Sequence, residues 1–242
     1  ENEIINNKIQ LFNTEADLTT QLSDLQKSQS SMDGAIKSLQ SAYDGATQLQ
    51  SAIDGLQKAK DGVSQAKSGA KQLYAMKQQL AASVPTWGGT LPTDYHTFIT
   101  TLESTVNYMK MSTDPATQAK AAQMEQMLTG LKSSMTPEIY KALVASASES
   151  DFVAYMESTA IAQINAQAGT SYTSESDIAS QIVTLQSKLD DINVMLTSQA
   201  SSFADAGVTL TSYKDIPAAI SKLSESKTQI ATGIATIESA QT

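Results

Sequence analysis

The sequence predicts an all-α protein, an elongated antiparallel coiled-coil hairpin stalk with a small helical cap. Apolar residues recur at alternating steps of three and four near both ends of the chain, which places them on one side of a helix. No proline precedes Pro85, so nothing interrupts a first helix over residues 1–82, and that length is typical of a coiled coil. Aromatic residues are scarce, at 5%, as thin helical bundles require.

The outgoing stalk helix is predicted over residues 1–82. At 1.5 Å per residue it would span on the order of 120 Å. Its predicted seam runs through the following positions: Ile5, Ile9, Phe12, Ala16, Leu18, Leu22, Leu25, Gln29, Met32, Ile36, Leu39 and Tyr43, and after a shift near Ala46, Leu49, Ile53, Leu56, Lys60 and Val63. Gln29 and Lys60 are polar members of this seam, and polar seam residues can fix helix register.

Glycines interrupt this helix at regular spacing. Gly55, Gly62 and Gly69 recur every seven residues, and Gly34 and Gly45 precede them. A glycine inside a helix costs about 1 kcal/mol relative to alanine, so five of them need a reason. We expect Gly55, Gly62 and Gly69 to allow close packing of a neighbouring helix, with local bending as the alternative.

The helical cap is predicted over residues 83–174. Two prolines and two glycines between Ser83 and Thr93 predict a loop. Helix starts are expected at Asp94, at Asp114–Pro115, at Thr136–Pro137 and at Ser150 or Asp151, and a stop is expected at Gly169.

Three aromatic residues, Trp87, Tyr95 and Phe98, cluster at the entrance to the cap. They are candidates for a tip interaction, because aromatic residues are enriched at binding hot spots. The alternative is that they plug the junction of cap and stalk, and we favour that interpretation.

The returning stalk is predicted over residues 175–242. Its seam is interrupted from Ala206–Gly207 to Tyr213, and a final helix starts near Asp215 and Pro217. The final seam is the most regular in the chain: Ile216, Ile220, Leu223, Lys227, Ile230, Ile234 and Ile237. This arm is shorter than the outgoing helix. Either the first helix overhangs, or the cap folds beside it, or a second molecule covers the excess. Bare apolar seams self-associate, so we expect a dimer.

The sequence gives no catalytic, cofactor-binding or metal-binding residues. It contains no cysteine and one histidine, His96, and it lacks nucleophile, metal-ligand and phosphate-loop motifs. We therefore expect a protein that is not an enzyme and needs no cofactor.

Charge argues against nucleic acid as a partner, since the net charge is −9 and all sixteen basic residues are lysine. The one basic stretch is read as a solvated helix face, with contact to anionic lipid or wall polymer as the alternative: Lys58, Lys60, Lys67, Lys71 and Lys77.

The ends of the sequence suggest a piece of a larger protein. No apolar run approaches the ~20 residues needed to cross a bilayer. Both ends lie within helical periodicity, so we expect a fragment whose flanking membrane segments lie outside this chain.

The stretch Leu49 to Leu73, LQSAIDGLQKAKDGVSQAKSGAKQL, resembles repeats in the extracellular parts of Gram-positive polytopic membrane proteins. The phage infection protein (YhgE/Pip) family is similar over residues 33–77 and more weakly over 224–241. That family includes phage receptors and a large accessory subunit of type VII secretion. Extracellular insertions of MMPL-type transporters and FtsX-like ABC permeases are also similar. The resemblance implies an elongated extracellular domain of a bacterial membrane protein that binds protein partners or itself, and it supplies no catalytic residue.

Two functions follow as expectations. The first is a non-enzymatic extracellular stalk and interaction domain of an export-associated or phage-receptor membrane protein. The alternative is the extracellular domain of an ABC (FtsX-like) or MMPL-type transporter that assists substrate export. A free helical toxin would carry an apolar insertion segment of ~18 or more residues, and none is present.

Overall fold

The structure, a computed structural model, describes residues 2–84 and 88–240, which form helices and turns without a strand. The prediction of an all-α protein is confirmed for this part of the chain. The helices are α1 (Asn2–Ser83), α2 (Tyr95–Lys110), α3 (Pro115–Ser134), α4 (Pro137–Ala145), α5 (Glu149–Ala168), α6 (Glu175–Gln199) and α7 (Ile216–Ala240). Two 3-10 segments, Ala200–Ala206 and Tyr213–Asp215, follow α6 and precede α7.

Polar side chains begin the cap helices where the sequence predicts. The Asp94 carboxylate accepts a hydrogen bond from the backbone N–H of Thr97 at 2.7 Å and starts α2. Asp114 starts α3 in the same way, and Thr136 starts α4. A proline follows each of the latter two at the first helical position, where its missing N–H costs nothing.

The start of α5 differs from the prediction by two or three residues. Ser148 caps this helix and forms a reciprocal pair with Asp151, in which each side chain accepts from the other residue's backbone N–H. Asp151 therefore occupies the third helical position, because a capping box needs its carboxylate there. The predicted stop at Gly169 is confirmed, with a left-handed φ of 64° that glycine adopts without strain.

The described residues fall into two compact units. The first unit, here called the terminal unit, comprises the residues up to Gly55 and from Gln181 onward, and the second, the central unit, comprises Leu56–Ser180. Helices α1 and α6 contribute to both.

The central unit has its own apolar core, formed by the second part of α1 with helices α2 to α5. Helices α2 and α3 flank each other, and ion pairs link Lys110 to Glu125 at 2.6 Å and Lys132 to Glu103. The buried residues of this core are Ala70, Tyr74, Leu80, Val84, Leu91, Phe98, Leu102, Val106, Met124, Leu128, Leu131, Met135, Tyr140, Leu143 and Phe152.

The terminal unit has a separate core where α1 meets α6, α7 and the segment that joins them. Its buried residues are Leu39, Ala46, Ile53, Leu189, Leu196, Val208, Leu210, Tyr213, Ile216, Ala219 and Leu223. Outside this core the burial stops abruptly. No residue from 2 to 38 on α1 and none from 224 to 240 on α7 is buried.

The eight predicted stalk-seam residues are all buried or half-buried within their own units: Leu49, Ile53, Leu56, Val63, Ile220, Leu223, Ile230 and Ile234. The first turns of the predicted seam are not covered within the described part of the chain, since Ile5, Ile9 and Phe12 are exposed. The half-buried row on α1 begins at Leu18 and continues through Leu25, and both residues belong to the predicted seam. Stepping this row back by sevens reaches Leu11 and Ile4, and Ile5, Ile9 and Phe12 form a second apolar row beside them.

Within the described part of the chain, no helix packs closely against the three regularly spaced glycines of α1. Gly55 and Gly62 are exposed and Gly69 is half-buried. A Cβ placed on any of these three glycines would meet no atom within 4 Å. The partner helices of α1 lie against other faces, so the glycines leave open space beside the helix.

Candidate functional site

Two of the three aromatic residues predicted at the tip, Tyr95 and Phe98, lie in or against the core of the central unit. Phe98 is 1% exposed and stacks on Tyr140, with ring centroids 4.7 Å apart. Tyr95 is half-buried, and its hydroxyl donates to the carbonyl oxygen of Met135 at 3.0 Å. Trp87 lies outside the described residues. Phe98 is therefore inaccessible to a partner, and the favoured interpretation of Tyr95 and Phe98 as packing residues agrees with their positions.

Tyr140 completes this aromatic cluster. Its hydroxyl donates to the carbonyl oxygen of Pro92 at 2.5 Å, which ties α4 to the segment before α2. Burial raises the pKa of the Tyr140 phenol far above its ordinary value, with a smaller contribution from the Asp94 carboxylate. The hydroxyl thus stays protonated and acts as a structural hydrogen-bond donor.

Lys77 anchors α1 to the end of α4. Its ammonium group donates to the carbonyl oxygens of Leu143 at 2.9 Å and Ser146 at 3.0 Å. The same group lies 4.9 Å from the ring centroid of Tyr74. Carbonyls at the end of a helix lack partners within it, and a lysine satisfies them. Burial lowers the pKa of Lys77.

Lys67 forms a second anchor in the central unit. Its ammonium group lies 3.0 Å from a carboxylate oxygen of Glu175 and 3.6 Å from one of Glu157. The hydroxyl of Ser64 donates to the other oxygen of Glu175 at 2.8 Å. The hydrogen bond to Glu175 raises the pKa of Lys67, and those from Ser64 and Lys67 lower the pKa of Glu175.

The interpretation of the basic stretch as a solvated face is therefore wrong for Lys67 and Lys77. Lys58 and Lys71 are exposed, as predicted. Spacing along α1 could not distinguish Lys67 and Lys77 from the exposed lysines, because the partners of Lys67 and Lys77 lie far away in the chain. For Lys67 the available signal was the acidic and serine-rich composition of residues 146–157 and 174–177, and for Lys77, which binds backbone carbonyls, the sequence offered none.

The carboxylates with lowered pKa values are mostly helix caps. Hydrogen bonds from backbone N–H groups and from threonine or serine hydroxyls lower the pKa of each: Asp94, Asp114, Asp177 and Asp215. All four sit at or just before the first turn of a helix. These hydrogen bonds explain the lowered pKa values without any catalytic role.

Ionisable side chains do not gather into a metal site within the described part of the chain. No group of three or more histidine or acidic residues there could hold a metal ion. His96, the single histidine, is exposed on the first turn of α2. None of the helices among residues 2–84 and 88–240 is long and apolar enough to cross a bilayer.

The main unusual surface lies on the first turns of α1. Five large apolar side chains there are between 53% and 76% exposed: Ile4, Ile5, Ile9, Leu11 and Phe12. Lys8 and Glu3 are the only charged residues between Asn2 and Thr14. This surface, here called the α1 apolar surface, is the candidate functional site, because exposed patches of this kind mark interaction sites. Three of these residues, Ile5, Ile9 and Phe12, belong to the stalk seam that the sequence predicts.

Comparison with known proteins adds no assignment: no family model, no curated protein and no solved structure shows significant similarity to the chain.

Proposed function

We propose that this chain is a non-enzymatic stalk and interaction domain on the extracellular face of a bacterial membrane protein, of the export-associated or phage-receptor kind. One observation carries the proposal. An apolar seam runs through residues 2–38 of α1 and 224–240 of α7, yet none of these residues is buried. Apolar heptads that remain open over many turns are stabilised when other helices cover them.

The finer architecture, an antiparallel coiled-coil hairpin, is supported by contacts of α1 with α7. The Leu25 side chain lies 3.7 Å from the position of a Cβ on Gly233. Asp33 pairs with Lys227 at 2.6 Å. Residues later in α1 therefore contact residues earlier in α7, which is the order expected for antiparallel helices. We propose that these helices form the two arms of the stalk and that residues 83–174 form its cap.

The non-enzymatic part of the proposal is supported by the roles of the perturbed ionisable groups. Shifted pKa values cluster at catalytic sites in many enzymes. Here the shifted groups cap helices, as Asp94 and Asp215 do, or tie helices together, as Lys67 and Lys77 do. Each shift has a structural cause, so none requires a substrate.

The extracellular location comes from the resemblance of residues 33–77 to extracellular repeats of Gram-positive membrane proteins. It is tested in cells that express the full-length protein with an epitope inserted between Gly88 and Gly89. Protease added to intact cells should remove the epitope, while a cytoplasmic control protein stays intact. An epitope that survives until the cells are lysed would refute the location.

The hairpin is tested by spin labels, which the absence of cysteine makes straightforward. Labels on S23C and T236C should report the short distance of neighbouring helices, whose axes lie about 8–10 Å apart. Labels on S23C and S41C provide a ruler along α1, at about 27 Å for 18 residues. A distance between positions 23 and 236 longer than this ruler would contradict the antiparallel arrangement.

A further inference from the structure

We propose that a second copy of this chain covers the open seam of the terminal unit. Two α1–α7 pairs would then form a four-helix bundle around a two-fold axis, through residues 18–38 and 224–240 of each copy, and the first turns of α1, which extend past the end of α7, would pair with those of the other copy. The inference rests on the proposed interaction role and names the partner. A second copy is a suitable partner for the open seam, because a two-fold interface places the same surface of both subunits against each other.

The seam is incompletely buried within one chain. Leu18, Leu22 and Leu25 on α1 are only half-buried, and so are Ile230, Ile234 and Ile237 on α7. Two helices alone leave one side of their shared seam in water. Four helices enclose it, as the cores of helical bundles do.

The groove along this seam shows the same opening. A surface cavity of about 440 Å³ lies where α1, α7 and the 3-10 segment after α6 meet, and its apolar walls include Met32, Phe203 and Ile230. The cavity adjoins the last buried residue of α7, Leu223. An apolar groove of this kind accepts side chains from a facing helix.

The exposed apolar area on α1 is large enough for an interface between two copies. A fully exposed large apolar residue presents about 200 Å², so the five residues of the α1 apolar surface leave roughly 600 Å² open. The largest patch on a typical monomer is about 300–600 Å². Two such surfaces, with the half-buried seam residues beside them, reach the roughly 1,200–2,000 Å² that stable protein interfaces bury.

The seam carries side chains of both charges. Residues 2–38 contain five acidic and three basic side chains, which gives −2. Residues 224–240 contain two acidic residues and one lysine, which gives −1. The whole chain carries −9. The seam region thus carries −3 over 54 residues and is slightly more acidic per residue than the rest of the chain, but its lysines and carboxylates are interspersed, so lysines of one copy can face carboxylates of the other.

Other exposed apolar residues make weaker surfaces. Tyr108 and Met111 are 79% and 84% exposed at the end of α2, and Val183 and Val194 are each 69% exposed on α6. Each is a pair rather than a continuous patch. The valine pair lies in the same unit as the open seam and therefore offers a matched control.

Sedimentation velocity of the full chain over a range of concentrations tests the proposal. The wild-type chain should sediment as a dimer of twice 25.7 kDa. Ile9→Asp with Phe12→Asp should raise the dimer dissociation constant about 100-fold or more, because charges placed in an apolar interface remain unpaired. Val183→Asp with Val194→Asp should leave the dimer unchanged.

Several results would overturn the proposal. One is a monomeric wild type at every concentration, and another is a dimer that survives Ile9→Asp with Phe12→Asp. A third is a monomer that floats with phosphatidylcholine–phosphatidylglycerol vesicles through this surface, which would assign it to a membrane. Circular dichroism checks that both double variants stay helical. A monomer refutes the pairing but not the extracellular location, which the protease experiment measures separately.

Discussion

Lys77 and Lys71 lie on the same helix, yet only Lys77 reaches backbone carbonyls of another helix. This contrast shows how residue-level roles in the central unit arise. A charged group that satisfies two carbonyls at a helix end has no substitute nearby, whereas an exposed lysine is replaceable.

Lys77→Met should therefore lower the free energy of unfolding by about 1.5 kcal/mol, since hydrogen bonds from a charged donor are lost. Lys71→Met should change it by less than about 0.5 kcal/mol, as exposed substitutions do. Urea denaturation followed by circular dichroism measures both. Equal effects would show that Lys77 is not an anchor.

Tyr140→Phe should change how steeply the free energy of unfolding falls at alkaline pH. Burial raises the pKa of Tyr140 above its ordinary value of 10.0, so the native state keeps a proton that the unfolded chain loses. The stabilisation is complete below pH 10 and falls as pH rises further. The wild-type chain should thus lose stability above pH 10 more steeply than Tyr140→Phe.

At neutral pH the same substitution removes the bond to Pro92 and should cost about 1 kcal/mol. Tyr155→Phe is the control, because Tyr155 is more than one-third exposed. Parallel curves for wild type and Tyr140→Phe above pH 10 would contradict the assignment.

At the scale of elements, the glycines of α1 weaken the helix without packing against a neighbour. Gly55→Ala and Gly62→Ala should each stabilise the chain by up to about 1 kcal/mol, because alanine favours the helix and its Cβ meets no atom within 4 Å. Gly169→Ala should destabilise it, because Gly169 has a φ of +64°. Thermal melting of the three variants measures this contrast.

A loss of stability on Gly55→Ala or Gly62→Ala would indicate that a helix packs closely against these glycines. That helix would belong to a second copy of the chain. The result at Gly169 does not depend on assembly, since its constraint is a local backbone angle. It therefore serves as the internal reference for the series.

The helix caps predict the acid limb of stability. Hydrogen bonds lower the pKa of Asp94 and Asp215 below 3.8 in the folded state. This stabilisation is fully present above the unfolded pKa and is lost as pH falls through the folded pKa. Melting temperatures should therefore fall below about pH 4.

Asp94→Asn with Asp215→Asn isolates this contribution, because the side-chain oxygen of asparagine can accept hydrogen bonds from the same backbone N–H groups but does not titrate. The double variant should melt close to the wild-type temperature at pH 7. Its melting temperature should fall less than that of the wild type on acidification to pH 2.5. Identical acid slopes for the two proteins would rule out the caps as the source.

At the scale of the whole molecule, the two units differ in how the chain builds them. The central unit is one continuous segment, Leu56–Ser180, with its own buried core. A fragment of residues 56–180 should therefore fold and melt cooperatively, as independent domains do. Circular dichroism and hydrogen exchange of the fragment measure this, and a fragment without a cooperative transition would contradict it.

The terminal unit is discontinuous, since its two segments are separated by the whole central unit. Its contacts close long loops: the ion pair of Asp33 with Lys227 joins residues 194 positions apart. Such contacts cost the conformational entropy of closing a long loop. The open seam in this unit is the feature from which the proposed assembly follows.

Local signals in the sequence determined the helical class, the starts at Asp94, Asp114 and Thr136, and the stop at Gly169. These features depend on residues within about four positions, so a sequence contains them directly. Tertiary structure alone decided which face of α1 is covered, why Ile9 and Phe12 stay exposed, and which lysines become anchors. Burial depends on helices that return from distant parts of the chain, and heptad spacing is the same on either side of a helix with two apolar rows.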